Sequence, residues 1–253
     1  MSTQSPCLNT VITGEYPVLV RRIAARIAEL VRFKPNAVLG LATGATPIPI
    51  YEALVRYHRE EGIDFSRVVC FNLDEYYPIL PASPQSYHHY MQNNLFRKIN
   101  CPTWHVPSGE AASQDMIEEA CHQYEMQIQN AGGIDLQLLG IGRTGHIGFN
   151  EPGSQRHSRT RLVNLDRETR EDAVADFGSD KDVPRQAITM GIGTILEARE
   201  IILIARGEKK RTITKLAMDG PVVAEVPASY LQEHPRVSWY LDGALENNLP
   251  QLL

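Results

Sequence analysis

Four short runs rich in branched apolar residues, at 37–41, 68–73, 134–141 and 201–205, are separated by stretches that place apolar residues at helical spacing. Those stretches lie at 16–33, 47–60, 85–97, 115–130 and 208–218, each with charged residues on its remaining face. Parallel strands need a crossover between them, and an amphipathic helix supplies one while burying its apolar face on the sheet. The alternation therefore predicts an α/β fold with a mainly parallel sheet and helices on both faces. A chain of 253 residues buries a sizeable core without disulfides or a structural metal. No internal repeat appears, and the proline-rich pieces at 78–84 and 102–107 read as loops, so a single domain over 1–253 is expected. The charged segment 154–184, with one strand-like run at 161–165, reads as a mobile surface loop or a substrate cover.

Charge and composition narrow the partners. A formal net charge of −5 argues against a nucleic-acid binder, although the basic clusters at 156–170 and 206–211 read as local anion sites or as solvated surface. No apolar run is long enough to cross a bilayer, and the opening MSTQSPCLNT lacks a basic segment followed by an apolar core, so a cytoplasmic protein is expected. Cys7, Cys70, Cys101 and Cys121 lack zinc or C-x-x-C spacing, and Cys70 reads as a small buried hydrophobe. The adjacent His88 and His89 point differently along a helix and complete no metal site, so no metal is expected.

Four strand ends finish in polar or glycine-rich clusters, where open parallel sheets place their ligands. The first reads LGLATGATP over 39–47, with Thr46 suited to cap a helix opening at Pro47. Its exposed N–H groups, threonine hydroxyls and flexible Gly44 equally suit an anion, while the absence of a Walker lysine disfavours ATP. The second, VVCFNLDEYY over 68–77, stops a hydrophobic strand at adjacent carboxylates. Asp74 reads as a base facing the ligand crevice, its pKa raised by desolvation, or as the cap of the next turn. Glu75 reads as structural, and Tyr76 and Tyr77 as core or pocket wall. The third, LGIGRTGHIGFNEPG over 139–153, leaves His146 and Glu151 as the titratable groups best placed to act; a histidine bonded to a backbone carbonyl and a plain NEPG turn fit the same residues. The fourth, IILIARGEKK over 201–210, sets Lys209 and Lys210 just past a turn, neutralising an anion or facing solvent.

LGLATGATP, FNLDEYY, LGIGRTGHIGFNEPGS, SRTRLV, AITMGIGTIL and VPASYLQEHP occur in an order and spacing that resemble the glucosamine-6-phosphate deaminase (glucosamine-6-phosphate isomerase) family over nearly the whole chain. The resemblance implies a modified Rossmann-like sheet. It also implies conversion of glucosamine 6-phosphate and water to fructose 6-phosphate and ammonia, in amino-sugar catabolism and without an organic cofactor. It gives ring opening to His146 assisted by Glu151, and proton transfer between adjacent carbons to Asp74. Substrate binding falls to Thr43, Gly44, Ala45 and Thr46, and phosphate binding to Lys210. The implied partner is a small sugar phosphate, with no nucleic acid and no membrane; a homo-oligomer follows from the resemblance alone.

Two positions depart from the family pattern. Thr144, the remaining catalytic candidate, stands where many members carry an Asp or Asn that assists ring opening, and a neutral hydroxyl supplies neither that charge nor that amide geometry. The position of a phosphate-binding Arg falls on Ala175, leaving Arg170, Lys181 or Arg185 as substitutes. Ser154 and Arg161 match parts of an activator site, but Val163 replaces a basic residue and the sequence ends soon after Leu241. Weak or absent activation by the N-acetylated sugar phosphate is therefore expected. Three other readings compete: a deaminase of galactosamine 6-phosphate, separable by side-by-side kinetics; a 6-phosphogluconolactonase, which has no need of Glu151 or DEYY; and a noncatalytic sugar-phosphate sensor.

Overall fold

The computed structural model describes residues 9–243; Cys7 lies outside them. Seven strands form one wholly parallel sheet. They are β1 (Thr10–Gly14), β2 (Val38–Leu41), β3 (Val69–Asn72), β5 (Thr103–His105), β6 (Leu136–Leu139), β9 (Ile201–Ala205) and β10 (Val237–Asp242), in the spatial order β1-β10-β9-β6-β2-β3-β5. The four runs read from sequence are the contiguous centre of that order. Their alternate residues enter two separate cores. Leu39, Leu41, Cys70, Leu138, Ile202 and Ile204 pack on one face beneath α1 (Tyr16–Phe33) and α2 (Ile48–Glu61). Val38, Phe71, Leu139, Ile201 and Leu203 pack on the other against α4 (Gln114–Asn130), α6 (Ile192–Leu196) and α7 (Arg211–Asp219). Helices thus cover both faces, as the apolar periodicity requires.

The helix starts depart from expectation in instructive ways. Pro47 is the N-cap of α2 rather than its first residue: its carbonyl accepts the Ile50 and Tyr51 N–H groups at 2.9 and 3.1 Å, and no side chain caps the helix. Thr46 is therefore not a cap, and its carbonyl accepts the Tyr16 hydroxyl instead. The expected helix at 85–97 becomes α3 (Tyr87–Met91), capped by Ser86, which runs into a π-helical turn over Gln92–Phe96. The one expected at 208–218 begins as a 3-10 turn over Glu208–Lys210 before α7.

A second, antiparallel sheet is absent from the sequence reading. It contains β4 (Asp74–Tyr77), β8 (Gln186–Thr189) and β7 (Arg161–Asn164), in the order β4-β8-β7. Only Leu73 separates β3 from β4, so the chain passes from the parallel sheet to the antiparallel one at this point. Segment 154–184, read as a loop or cover, holds β7 and the helix α5 (Arg167–Phe177); both are built because β7 pairs with β8 and α5 buries Thr169 and Ala173. No helix among the described residues is long and apolar enough to cross a membrane.

Candidate active site

Four neighbouring strands, β9, β6, β2 and β3, point their carboxyl ends at the same sheet edge; from β2 the chain runs outward through β3 to β5 on one side, then crosses back to β6 on the other. Such a divergence opens a crevice. The crevice is a cavity of about 530 Å³ lined by the loop after β2, by Asp74, by Gly142 and His146, by one face of α5, and by Arg206 and Lys210. Of the residues singled out from sequence, Thr43, Gly44, Ala45, Thr46, Asp74, His146 and Lys210 line it directly. Glu151 and Thr144 do not line it but touch the His146 ring.

The loop after β2 is held open by tyrosines. The hydroxyls of Tyr51, Tyr90 and Tyr16 donate to the carbonyls of Ala42, Gly44 and Thr46 in turn, the latter two at 2.7 and 2.5 Å. The N–H groups of Gly44, Ala45 and Thr46 donate to no protein acceptor among the described residues. Carbonyls tied back and amides left free, at the start of a 14-residue helix, are an arrangement that suits an anion.

Asp74 is 4 % exposed, and Oδ1 has no hydrogen-bond partner. Burial, reinforced by the neighbouring Glu75 and opposed by the Thr43 hydroxyl, pushes its pKa up to about 8. Asp74 is the first residue of β4, so it stands at the hinge between the two sheets rather than on a parallel strand. Its surroundings require glycine at position 148. Gly148 has φ +56°, and a Cβ there would lie 2.9 Å from Thr189 Oγ1 and 3.2 Å from Asp74 Oδ2. Glu75 turns away and accepts the Tyr76, Tyr87 and His88 N–H groups at 3.0, 2.8 and 2.9 Å, a structural carboxylate that anchors the start of α3. Burial nevertheless raises its pKa to about 7.

His146 bonds to no backbone carbonyl through Nδ1. That atom is shared among Thr144 Oγ1 at 3.0 Å, Glu151 Oε2 at 3.2 Å and Thr169 Oγ1 at 3.5 Å. The Glu151 contact is close in distance but not aligned as a hydrogen bond, leaving Oε2 without an aligned donor. On its other edge the imidazole fills the space of the missing side chain at Gly142, where a Cβ would fall 2.0 Å from Nε2. Glu151 is 7 % exposed; burial pushes its pKa up, but His146, Thr169 and the Asp166 N–H outweigh burial and leave it lowered. Asn150 fastens the loop by donating to the Ile147 and Met190 carbonyls at 2.9 and 2.8 Å.

Lys210 also lines the cavity; burial lowers its pKa, with Asp172 raising it and Arg143 lowering it further. Ala175 lines the cavity and carries no charge. None of its expected substitutes, Arg170, Lys181 or Arg185, lines it, and Arg170 is paired with Asp180 at 3.1 Å. The sequence reading missed Thr169 and Tyr16, and left Arg206 as one member of a basic cluster. Thr169 is 23 residues from His146, and only tertiary packing joins them.

Comparison with known proteins agrees with this geometry. Residues 16–239 match the family described as glucosamine-6-phosphate isomerases/6-phosphogluconolactonase. A glucosamine-6-phosphate deaminase of Rhodopirellula baltica is 52 % identical over 225 residues, covering 88 % of each chain. The solved structure of a monomeric glucosamine-6-phosphate deaminase superposes with a TM-score of 0.91 at 38 % identity, covering 94 % of this chain and 100 % of that one. A 6-phosphogluconolactonase from Trypanosoma cruzi shares the fold, with a TM-score of 0.75 at 18 % identity over 98 % of this chain and 100 % of its own. A match that runs through nearly every element, together with cavity residues drawn from four separate loops, makes this chain a member of the glucosamine-6-phosphate isomerase/6-phosphogluconolactonase family.

Proposed function

We propose that the cavity converts glucosamine 6-phosphate and water to fructose 6-phosphate and ammonia. The observation that carries this reading is a pair of buried carboxyl groups serving one cavity with opposite tuning, Asp74 raised to about 8 and Glu151 lowered. An acid with a pKa near neutrality both takes and returns a proton, whereas a carboxylate held ionised orients an imidazole and stabilises its cation. The similarity to characterised deaminases supports the same substrate.

In this reading the phosphate docks on the amides of Gly44, Ala45 and Thr46 and on Lys210, fixing the sugar remotely from the reacting carbons. His146 accepts the proton of the anomeric hydroxyl and delivers one to the ring oxygen, opening the ring to the aldehyde. Glu151 holds the imidazolium formed on the way, while the Thr144 and Thr169 hydroxyls hold Nδ1. Asp74, ionised, takes the proton from the carbon bearing nitrogen while the aldehyde oxygen gains the proton that the substrate ammonium gives up, giving an enolamine. It returns that proton to the adjacent carbon, giving an imine that water hydrolyses to the ketone and ammonia. The substrate ammonium, arriving beside Asp74, favours the ionised form the first transfer needs. The same reading places the protein in the cytoplasm, where thiols such as Cys70, Cys101 and Cys121 stay reduced.

The test is ammonia release from glucosamine 6-phosphate by the wild type and by Asp74→Asn. Turnover by the wild type alone, with phosphate binding kept in the variant, is expected. Equal turnover by both would remove Asp74 from the chemistry, and tight binding without turnover in the wild type would make the protein a sensor.

A further inference from the structure

This inference rests on the reading that the cavity holds a sugar phosphate, and it concerns the end that grips the phosphate. A phosphate monoester carries a charge of about −1.5 to −2 near neutral pH. Lys210 offers a single positive charge. The only other lysine or arginine among the described residues lining the cavity is Arg206. Neither forms an ion pair with a carboxylate among the described residues. Asp172, which also lines the cavity, is already engaged by Arg143 at 2.9 Å.

Arg206 directly follows β9, so its backbone emerges at the ligand edge of the sheet. Its guanidinium carbon lies 4.2 Å from the centre of the Tyr16 ring, and the Tyr16 hydroxyl donates to the Thr46 carbonyl at 2.5 Å. Two contacts therefore connect the guanidinium to the loop whose amides are free. Stacking on a ring face fixes the plane of a guanidinium while leaving its in-plane N–H fork available, and a fork of that shape matches two phosphate oxygens. Arg206 is exposed, so the donors are open to an incoming ligand.

We propose that Arg206, positioned by Tyr16, is the second cation of the phosphate grip, acting with Lys210 and supplying the charge that Ala175 does not. Arg206 binds and places the substrate rather than moving protons, so its removal acts on affinity and not on the chemical step.

Inorganic phosphate is titrated calorimetrically into the wild type, Arg206→Gln, Arg206→Lys and Tyr16→Leu, and kcat and KM for glucosamine 6-phosphate are measured on the same proteins. Arg206→Gln is expected to weaken phosphate binding and raise KM by about 10- to 100-fold, the loss of one charge-assisted contact, with kcat within about threefold. Arg206→Lys should recover part of the affinity, since it keeps the charge and loses the fork and the stacking. Tyr16→Leu should cost less than Arg206→Gln, on the order of threefold, because the guanidinium stays but is no longer held. A folded Arg206→Gln protein with unchanged phosphate affinity and unchanged KM overturns the proposal while leaving the deaminase reading in place. A wild type that releases no ammonia, yet binds phosphate in an Arg206-dependent way, overturns the reading and leaves the proposal standing.

Discussion

Asp74 and Glu151 are 4 % and 7 % exposed, yet their carboxyl groups are pushed in opposite directions. The Asp74 corner, where β3 gives way to β4, offers a second carboxylate and one hydroxyl, and burial wins. In the Glu151 corner, the loop after β6, an imidazole, a hydroxyl and a backbone N–H converge on the carboxylate, and burial loses. Low exposure therefore does not assign equal roles. Asp74 is the more deeply desolvated of the two, and depth of burial together with the number and kind of neighbours decides whether a carboxyl group is pushed up or held as an anion.

The comparison breaks most visibly at Asp74. Asp74→Asn keeps the shape and removes the proposed proton carrier, so kcat should fall by about 10³-fold or more while phosphate binding persists. In the other corner, His146→Gln and Glu151→Gln should each lose about 10²-fold with the cyclic substrate. Both should lose less with a 5-deoxy analogue that cannot close the six-membered ring; equal losses on the two substrates would indicate a general defect instead of a fault in ring opening. Thr43→Val sharpens the comparison further. Its hydroxyl lowers the Asp74 pKa, so the acidic limb of kcat/KM, expected near pH 8 in the wild type, should move to higher pH.

The smallest effect is on stability. Folded Asp74 holds its proton up to about pH 8, whereas the unfolded chain releases it near its ordinary value of 3.8. Between those values the folded state binds the extra proton, so the contribution is full below the unfolded pKa and is lost as pH rises through the folded one. Asn has no such proton to lose. The Tm of Asp74→Asn should therefore exceed that of the wild type by a margin that widens from about pH 5 to about pH 9, reaching on the order of ten degrees.

What the sequence made legible follows from burial. β2, β3, β6 and β9 are covered on both faces, so each reads as a mainly apolar run, interrupted only by the buried Gln137 in β6 and Asn72 at the end of β3. The edge strand β1 is partly exposed, and β4 reads as DEYY, which looks like a strand ending in acids rather than one beginning a second sheet. α5, RETREDAVADF, buries only Thr169 and Ala173, too narrow a stripe to stand out from its charges. The glycine loop and its histidine were visible because close backbone approach leaves a glycine signature. Thr169, Tyr16 and the place of Arg206 were not, because each acts through a partner distant in sequence: His146, Thr46 or the cavity itself.

The opposite tuning of the two carboxyl groups is open to direct observation by ¹³C NMR titration of side-chain carboxyl-labelled protein, with Asp74 and Glu151 resonances assigned through Asp74→Asn and Glu151→Gln. Asp74 should titrate with a midpoint near 8, while Glu151 stays ionised to below the ordinary value of 4.5. An Asp74 midpoint in the usual aspartate range, or a Glu151 midpoint above its own ordinary value, would contradict the assignment of proton carrier and fixed anion.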